Sequence, residues 1–164
     1  MSARSLILLR RQAFAVTHWG RRISDLLKSK YMANNEGKTF FAPELYIENG
    51  IRDISFYEAA FGATELRRFT NEDGSIHVAE ISIDGALFHL HEITAKPYFF
   101  SPGVHKGTTV CIGLFVNDVD LVMKNAIQAG AIEINPAQDY EYGYRQGTIK
   151  DPFGHYWQIQ KVIV

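Results

Sequence analysis

The sequence predicts an α+β domain: two tandem βαβββ modules forming a curved mixed sheet around a central cavity. Three observations carry that prediction. Apolar runs of strand length begin at about Phe40 and alternate with one helical stretch and short Gly or Asp turns. The same order of elements returns after a connection rich in Pro and Gly, and the two halves align residue by residue.

In the first half, Phe41 to Ile47 reads as a strand and Arg52 to Phe61 as a helix, with apolar Ile54, Phe56, Tyr57, Ala60 and Phe61 at near-helical spacing. Gly62 stops that helix. Thr64 to Thr70, Ile76 to Ile83 and Ala86 to Glu92 read as three strands, parted by the hairpin signals Asp73-Gly74 and Asp84-Gly85. Residues 93–107 hold Pro97, Pro102, Gly103 and Gly107 and read as a linker. Beyond it, Thr109 to Val116 is a strand and Val119 to Gln128 a helix ended by Gly130. Ala131 to Ile134, Tyr144 to Lys150 and His155 to Val162 are strands. The folded domain is thus 40–164, with the first module at about 40–92 and the second at about 108–164.

The repeat is legible in three places. Leu45-Tyr46-Ile47 matches Leu114-Phe115-Val116, and Phe88-His89-Leu90 matches Trp157-Gln158-Ile159. Between them Phe61-Gly62-Ala63-Thr64-Glu65-Leu66 matches Ala129-Gly130-Ala131-Ile132-Glu133-Ile134. Two half-open sheets of this kind, once paired, enclose a trough lined by alternate strand residues, and a ligand belongs there. Pattern alone leaves open whether the modules pair within one chain or between chains.

Residues 1–39 form an N-terminal extension. Its first 31 residues carry Arg4, Arg10, Arg11, Arg21, Arg22, Lys28 and Lys30 against Asp25 alone. Three readings stand: an extra helix with Ile23, Leu26 and Leu27 as its apolar stripe, a targeting segment, or an upstream start with translation beginning at Met32. The run Leu6 to Leu9 is too short to span a membrane.

Hydrophobic residues make up 46% of the 164, enough for one or two modest cores, and the formal charge of -1 lacks the basic excess of a nucleic-acid binder. Small molecules are therefore the expected partners, with no nucleic acid and no membrane. The single Cys111 rules out an internal disulfide and a CxxC site, so a reducing, cytoplasmic location is expected. No GxGxxG, GxxxxGK[ST] or HExxH motif occurs.

Phe56-Tyr57 ahead of Phe61-Gly62-Ala63, Val119-Asp120 ahead of Ala129-Gly130-Ala131, and the closing Asp151-Pro152-Phe153-Gly154-His155-Tyr156-Trp157 are distinctive. Over about residues 40–164 the chain resembles the glyoxalase/bleomycin-resistance/extradiol-dioxygenase (vicinal oxygen chelate) superfamily, in its PhnB-like or bleomycin-resistance-like branch. That resemblance implies a homodimer, and for the family's enzymes one divalent metal, with a ligand on the first and last strand of each module. The matching positions here are Ala42, His89, Cys111 and Gln158. Ala42 has no donor, Gln158 is a neutral amide, and Cys111 is a soft ligand that must lose a proton. No metal cofactor is expected on this count; a weak site from His89, Cys111 and Gln158 is the alternative.

Other candidates surround these positions. His91 shares its strand face with His89, whereas His77 and Glu80 take opposite faces and His105 falls in the linker. His155 belongs to the closing turn. Tyr140, Tyr142, Tyr144 and Arg145 crowd the rim that the resemblance assigns to the cavity, where tyrosines stack on planar ligands and arginine pairs with anions. Tyr98, Phe99 and Phe100 of the linker are pocket or interface candidates. Cys111 lies in a strand pattern, away from any helix N-terminus that would activate its thiol.

The functional expectation is a metal-independent small-molecule-binding protein with a pocket drawn from His89, Cys111, Gln158, Arg145, Tyr144 and Trp157. Its ligand is expected to be aromatic or anionic. The alternatives are a metal-dependent glyoxalase-like or dioxygenase-like enzyme and a dimeric interaction scaffold.

Overall fold

A computed structural model describes residues 39–94, 98–105 and 107–163. The chain divides into two units, 1–41 and 42–164, and every helix and strand described belongs to the second. The extension, with its three readings, lies outside the described residues except for Thr39.

The first module consists of β1 (Glu44–Ile47), α1 (Phe56–Phe61), β2 (Thr64–Thr70), β3 (Ile76–Ile83) and β4 (Ala86–Glu92). Its four strands form one mixed sheet in the order β1-β4-β3-β2, with β1 parallel to β4 and the other neighbours antiparallel. A short helix, α2 (Pro102–His105), interrupts the linker. The second module repeats the plan with β5 (Cys111–Phe115), α3 (Val119–Gln128), β6 (Ile132–Tyr140), β7 (Tyr144–Lys150) and β8 (Tyr156–Val162). Its order is β5-β8-β7-β6, again with the first pair parallel. An identical order in both halves is what internal duplication requires.

Local chemistry explains the elements and their ends. Asp84 and Gly85 sit at φ 48 and 88, the two positive angles that a tight hairpin between β3 and β4 demands. Asp118 caps α3 by accepting the Leu121 N–H at 3.0 Å, and Val119, Met123 and Ala126 bury one face of that helix. The first helix is shorter than its apolar spacing predicts. Asp53 accepts the Ser55 N–H at 2.8 Å, a local turn that competes with helix over residues 52–55. β6 is longer than predicted, running on through Pro136 to Tyr140. Pro136 is tolerated because β6 is an edge strand, and its register with β7 shifts on both sides of Asn135.

One core holds both modules. The faces bearing Phe88 and Leu90 on β4, and Trp157 and Ile159 on β8, close on each other and on the two long helices. Trp157 meets Phe61 at 4.9 Å, Phe88 at 5.7 Å and Tyr57 at 6.0 Å between ring centroids. Beneath the rings lies the fully buried Asp151. Its Oδ1 accepts the backbone N–H groups of Phe153 and His155, each at 2.9 Å. Its Oδ2 accepts the Tyr57 hydroxyl at 2.9 Å and the Trp157 indole N–H at 3.0 Å. Burying a large apolar side chain contributes about 1.5–3 kcal/mol, against about 0.5–1.5 kcal/mol for a neutral hydrogen bond. The rings therefore supply the adhesion, and Asp151 fixes how the halves register. The closing turn also meets the linker: at Gly154 (φ 98) a Cβ would lie 3.2 Å from Pro102 Cβ.

No helix among the described residues is long and apolar enough to cross a membrane.

Candidate functional site

Because strand side chains alternate, a sheet whose Phe88 and Leu90 enter the core turns His89 and His91 outward. The same holds in the second sheet, where Trp157 and Ile159 are inward and Gln158 and Gln160 outward. The two faces expected to line one trough thus point away from each other in a single chain. Among the described residues, the cluster of metal-capable side chains that contains His89 is completed by Glu44 and His91. Ala42 also precedes β1, and the residue directly opposite His89 is Glu44.

On the outward face of the first sheet the register builds two rungs. Glu44, His89, Glu80 and Arg67 follow one another across the strands, with Arg67 on Glu80 at 3.5 Å. Next to them run Tyr46, His91, Val78 and Phe69. Ligand atoms of Glu44, His89 and His91 all lie within 4.8 Å of one another. The His91 Nε2 is buried without a hydrogen-bond partner among the described residues. Burial, chiefly, holds the His91 pKa below the ordinary histidine value, with the neighbouring Glu44 opposing and His89 reinforcing the shift. The imidazole is thereby kept neutral, with a lone pair to offer.

An aromatic wall stands over this cluster. Phe99 of the linker stacks on Tyr46 at 4.5 Å and 11°, Tyr98 meets Phe99 edge-on at 4.8 Å, and Tyr46 lies 5.8 Å from His91. Behind it the linker is tethered by fully buried Ser101, whose hydroxyl donates to Glu48 Oε1 at 3.2 Å. Burial, then Glu44 and Tyr98, raises the Tyr46 pKa, so its phenol stays protonated.

The remaining predicted residues fall elsewhere, and two expectations are corrected. Trp157 is 2% exposed and belongs to the core; as the neighbour of Gln158 on one strand it faces the opposite way and lines no pocket with it. Arg145 is not a free anion receptor. Its guanidinium donates to Asp120 at 2.6 and 2.8 Å and to Asp139 at 2.8 Å, pairings that raise its pKa. Tyr144 is half-buried, edge-on to Phe115 at 6.2 Å. Cys111 is exposed at the start of β5, and burial of its thiol, partly offset by a bond with the Gln158 backbone, pushes its pKa up, the reverse of activation. His77 binds Glu92 at 2.6 Å, and His155 is buried with its ring bonded to the Tyr46 backbone.

Glu44 was missed because the strand was expected from Phe41 and the ligand position was counted to Ala42. The signal was available: Glu44 lies 69 residues before Gly113 just as His89 lies 69 before Gln158, and Gly113 pairs with Gln158. The equivalent rung of the second sheet is chemically different. Gln146 donates to Gln160 at 2.7 Å and accepts from the Tyr142 hydroxyl at 2.6 Å, while the Gln160 amide nitrogen fills the space over Gly113. A separate cleft of about 680 Å³, lined by Phe61, Ile83, Phe115, Val122 and Lys161 among others, includes none of the predicted site residues.

Comparison with known proteins accords with this architecture. Residues 45–159 match the family model described as Glyoxalase/Bleomycin resistance protein/Dioxygenase superfamily. An uncharacterised protein of Mycobacterium bovis is 34% identical over 121 residues, covering 72% of this chain and 80% of its own. Among solved structures, a gene product of Arabidopsis thaliana superposes with a TM-score of 0.61 at 25% identity, over 75% of this chain and 98% of that one. TioX from Micromonospora sp. ML1 gives 0.56 at 26% identity, over 77% and 98%.

Proposed function

The chain belongs to the Glyoxalase/Bleomycin resistance protein/Dioxygenase superfamily, and from that premise we propose that it binds a small, flat, partly aromatic molecule on the outward face of its first sheet. One observation carries the reading: the Tyr46–Phe99 stack, built from strand and linker together, stands beside the polar cluster of Glu44, His89 and His91. Such a surface offers ring stacking next to a few convergent polar groups, the combination that small-molecule sites use. The aromatic preference rests on this stack. An anionic preference loses the support of Arg145, whose charge Asp120 and Asp139 already engage.

A homodimer is part of the reading. Phe115 and Val162, on the neighbouring strands β5 and β8, are 62% and 52% exposed, apolar side chains that a second copy is suited to cover. Metal-dependent catalysis is the second reading, favoured by the same His and Glu side chains.

A thermal-shift screen of aromatic compounds on the full chain tests the proposal. A ligand at a hundredfold its Kd stabilises by about 2.7 kcal/mol, roughly 5–10 °C for a chain of this size. Tyr46→Ala and Phe99→Ala are expected to abolish the shift. Binders unaffected by both changes would place the ligand elsewhere and overturn the reading.

A further inference from the structure

We propose that Asn49 is a site of spontaneous covalent modification, where the folded chain converts an asparagine into aspartate and isoaspartate with water as the only co-reactant. The conversion alters the joint between β1 and the rest of the first module, and it stands apart from the ligand reading.

The chemistry has two steps. The backbone nitrogen of the following residue loses its proton and attacks the asparagine Cγ. An N–Cγ bond forms, the Cγ–Nδ2 bond breaks, and ammonia leaves behind a cyclic imide. Water then opens the ring. Attack at Cγ gives aspartate; attack at the backbone carbonyl carbon gives isoaspartate, whose main chain runs through the former side chain. Nothing is oxidised or reduced, and a neutral amide becomes a carboxylate. This lability is one reason asparagine counts as a thermolabile residue.

The structure leaves Asn49 open to that attack in three respects. Asn49-Gly50 is the one Asn-Gly pair in the sequence, and a Cβ at Gly50 would meet nothing within 4 Å, so no side chain screens the attacking nitrogen. The Gly50 N–H donates to no described residue, which leaves its proton free to go. Asn49 is exposed in a turn, and its amide has no hydrogen bond among the described residues to hold it away from the backbone.

The same chain supplies the comparisons. Asp73-Gly74 and Asp84-Gly85 are prone to the same ring closure, with water as the leaving group, but the fold commits both nitrogens. The Gly74 N–H donates to the Asn71 carbonyl at 3.0 Å and the Gly85 N–H to Ser82 Oγ at 3.1 Å. Asp73 is held as well, accepting the N–H and hydroxyl of Ser75. Among the other described asparagines, Asn71 donates to Ser75 and Glu92, and Asn125 lies inside α3, where the next N–H is bonded along the helix. Asn135 precedes Pro136, which has no N–H, and Asn117 precedes Asp118, whose charge opposes loss of the amide proton.

Asn49 lies between two anchors. Before it, Glu48 accepts the Ser101 hydroxyl at 3.2 Å and ties the linker to the end of β1; after it, the Ile51 carbonyl accepts the Ile76 N–H at 2.7 Å. Isoaspartate lengthens the main chain between them by one carbon, and either product sets a second negative charge beside Glu48. Both changes act against the Glu48 anchor, so the modified chain is expected to melt below the fresh one.

The test is incubation of the full chain at mildly alkaline pH, native and in urea, followed by peptide mass mapping and thermal melts. In the native protein the unmodified Asn49 peptide should be lost to aspartyl and isoaspartyl forms, with the mass change of one NH exchanged for one O. Peptides bearing Asn71, Asn117, Asn125 and Asn135 should persist, and isoaspartate at Asp73 and Asp84 should accumulate in urea alone. Products formed in heavy-oxygen water should carry the label, which separates them from conversion before the incubation. Asn49→Gln, whose ring closure is larger and slower, should stay intact and keep its melting temperature while that of the parent falls. An Asn49 that persists in the native chain while the unfolded chain loses it would mean that the fold shields it, and overturns the proposal. Conversion spread evenly over the described asparagines, or an equal decline in melting temperature for the parent and Asn49→Gln, overturns it too.

Discussion

Replacing Asp151 by Asn changes a single atom type at the joint between the modules, and the structure sets the cost. The carboxylate accepts four donors: two backbone N–H groups on Oδ1, and the Tyr57 hydroxyl and Trp157 indole on Oδ2. An asparagine that keeps its oxygen toward the backbone pair turns an NH₂ group toward the other two. The Tyr57 hydroxyl adapts by rotating and accepting, but the Trp157 N–H has no acceptor capacity to offer and is left buried against another donor. Hydrogen bonds to a charged group are worth about 1.5–3 kcal/mol, and an orphaned buried donor costs about 1–3 kcal/mol. The expected loss is therefore about 2–4 kcal/mol, or roughly 5–15 °C in Tm for a chain of this length. Tyr57→Phe removes one donor and leaves the carboxylate three, so it should cost about 1–2 kcal/mol. Urea unfolding of the parent, both single variants and the double variant gives the coupling directly. An Asp151→Asn protein within 0.5 kcal/mol of the parent would refute the assignment of Asp151 as the polar centre of the joint.

Two further outcomes are expected. His155 is buried, and desolvation, opposed by Asp151 and by its bond to the Tyr46 backbone, lowers its pKa in the folded state. As pH falls through the ordinary histidine value of about 6.5 the unfolded chain takes up the proton first, so stability declines toward the lowered folded value; urea midpoints at pH 7.5, 6.5 and 5.5 should fall, and His155→Gln should flatten the trend. Gly147→Ala would set a Cβ 2.8 Å from Met123 Cε and 3.2 Å from the Ala137 backbone nitrogen, between α3 and the edge strand. Such overpacking costs about 1–3 kcal/mol, readable as a lower melting temperature.

The tandem modules were legible because backbone punctuation is local. Asp84-Gly85 and Gly62 act through their own dihedral angles, and the repeat carries the same punctuation twice. The reading failed where the deciding partner lay far along the chain. Period-two alternation assigns Phe88 and His89 to opposite faces, but only the meeting of Phe88 with Trp157 shows which face is core. Expecting Trp157 and Gln158 in one pocket overlooked that same alternation. Arg145 looked free because its partners, Asp120 on a helix and Asp139 on an edge strand, come together only after folding. Glu44 was hidden for a different reason: the parallel pairing of β1 with β4 sets the rung, and nothing local in β1 announces where the strand begins.

The shared core also bears on how such a chain is put together. A lone βαβββ unit would leave the side of its sheet that carries Phe88, or Trp157, open to water, and an identical unit is a natural cover for it. Two separate units would associate only above some concentration. Joined by the 93–107 segment, each meets its complement at a fixed effective concentration that dilution does not lower. Covalent tethering thus turns a bimolecular equilibrium into a folding step and leaves each half free to vary on its other side, which is where one now carries histidines and the other glutamines.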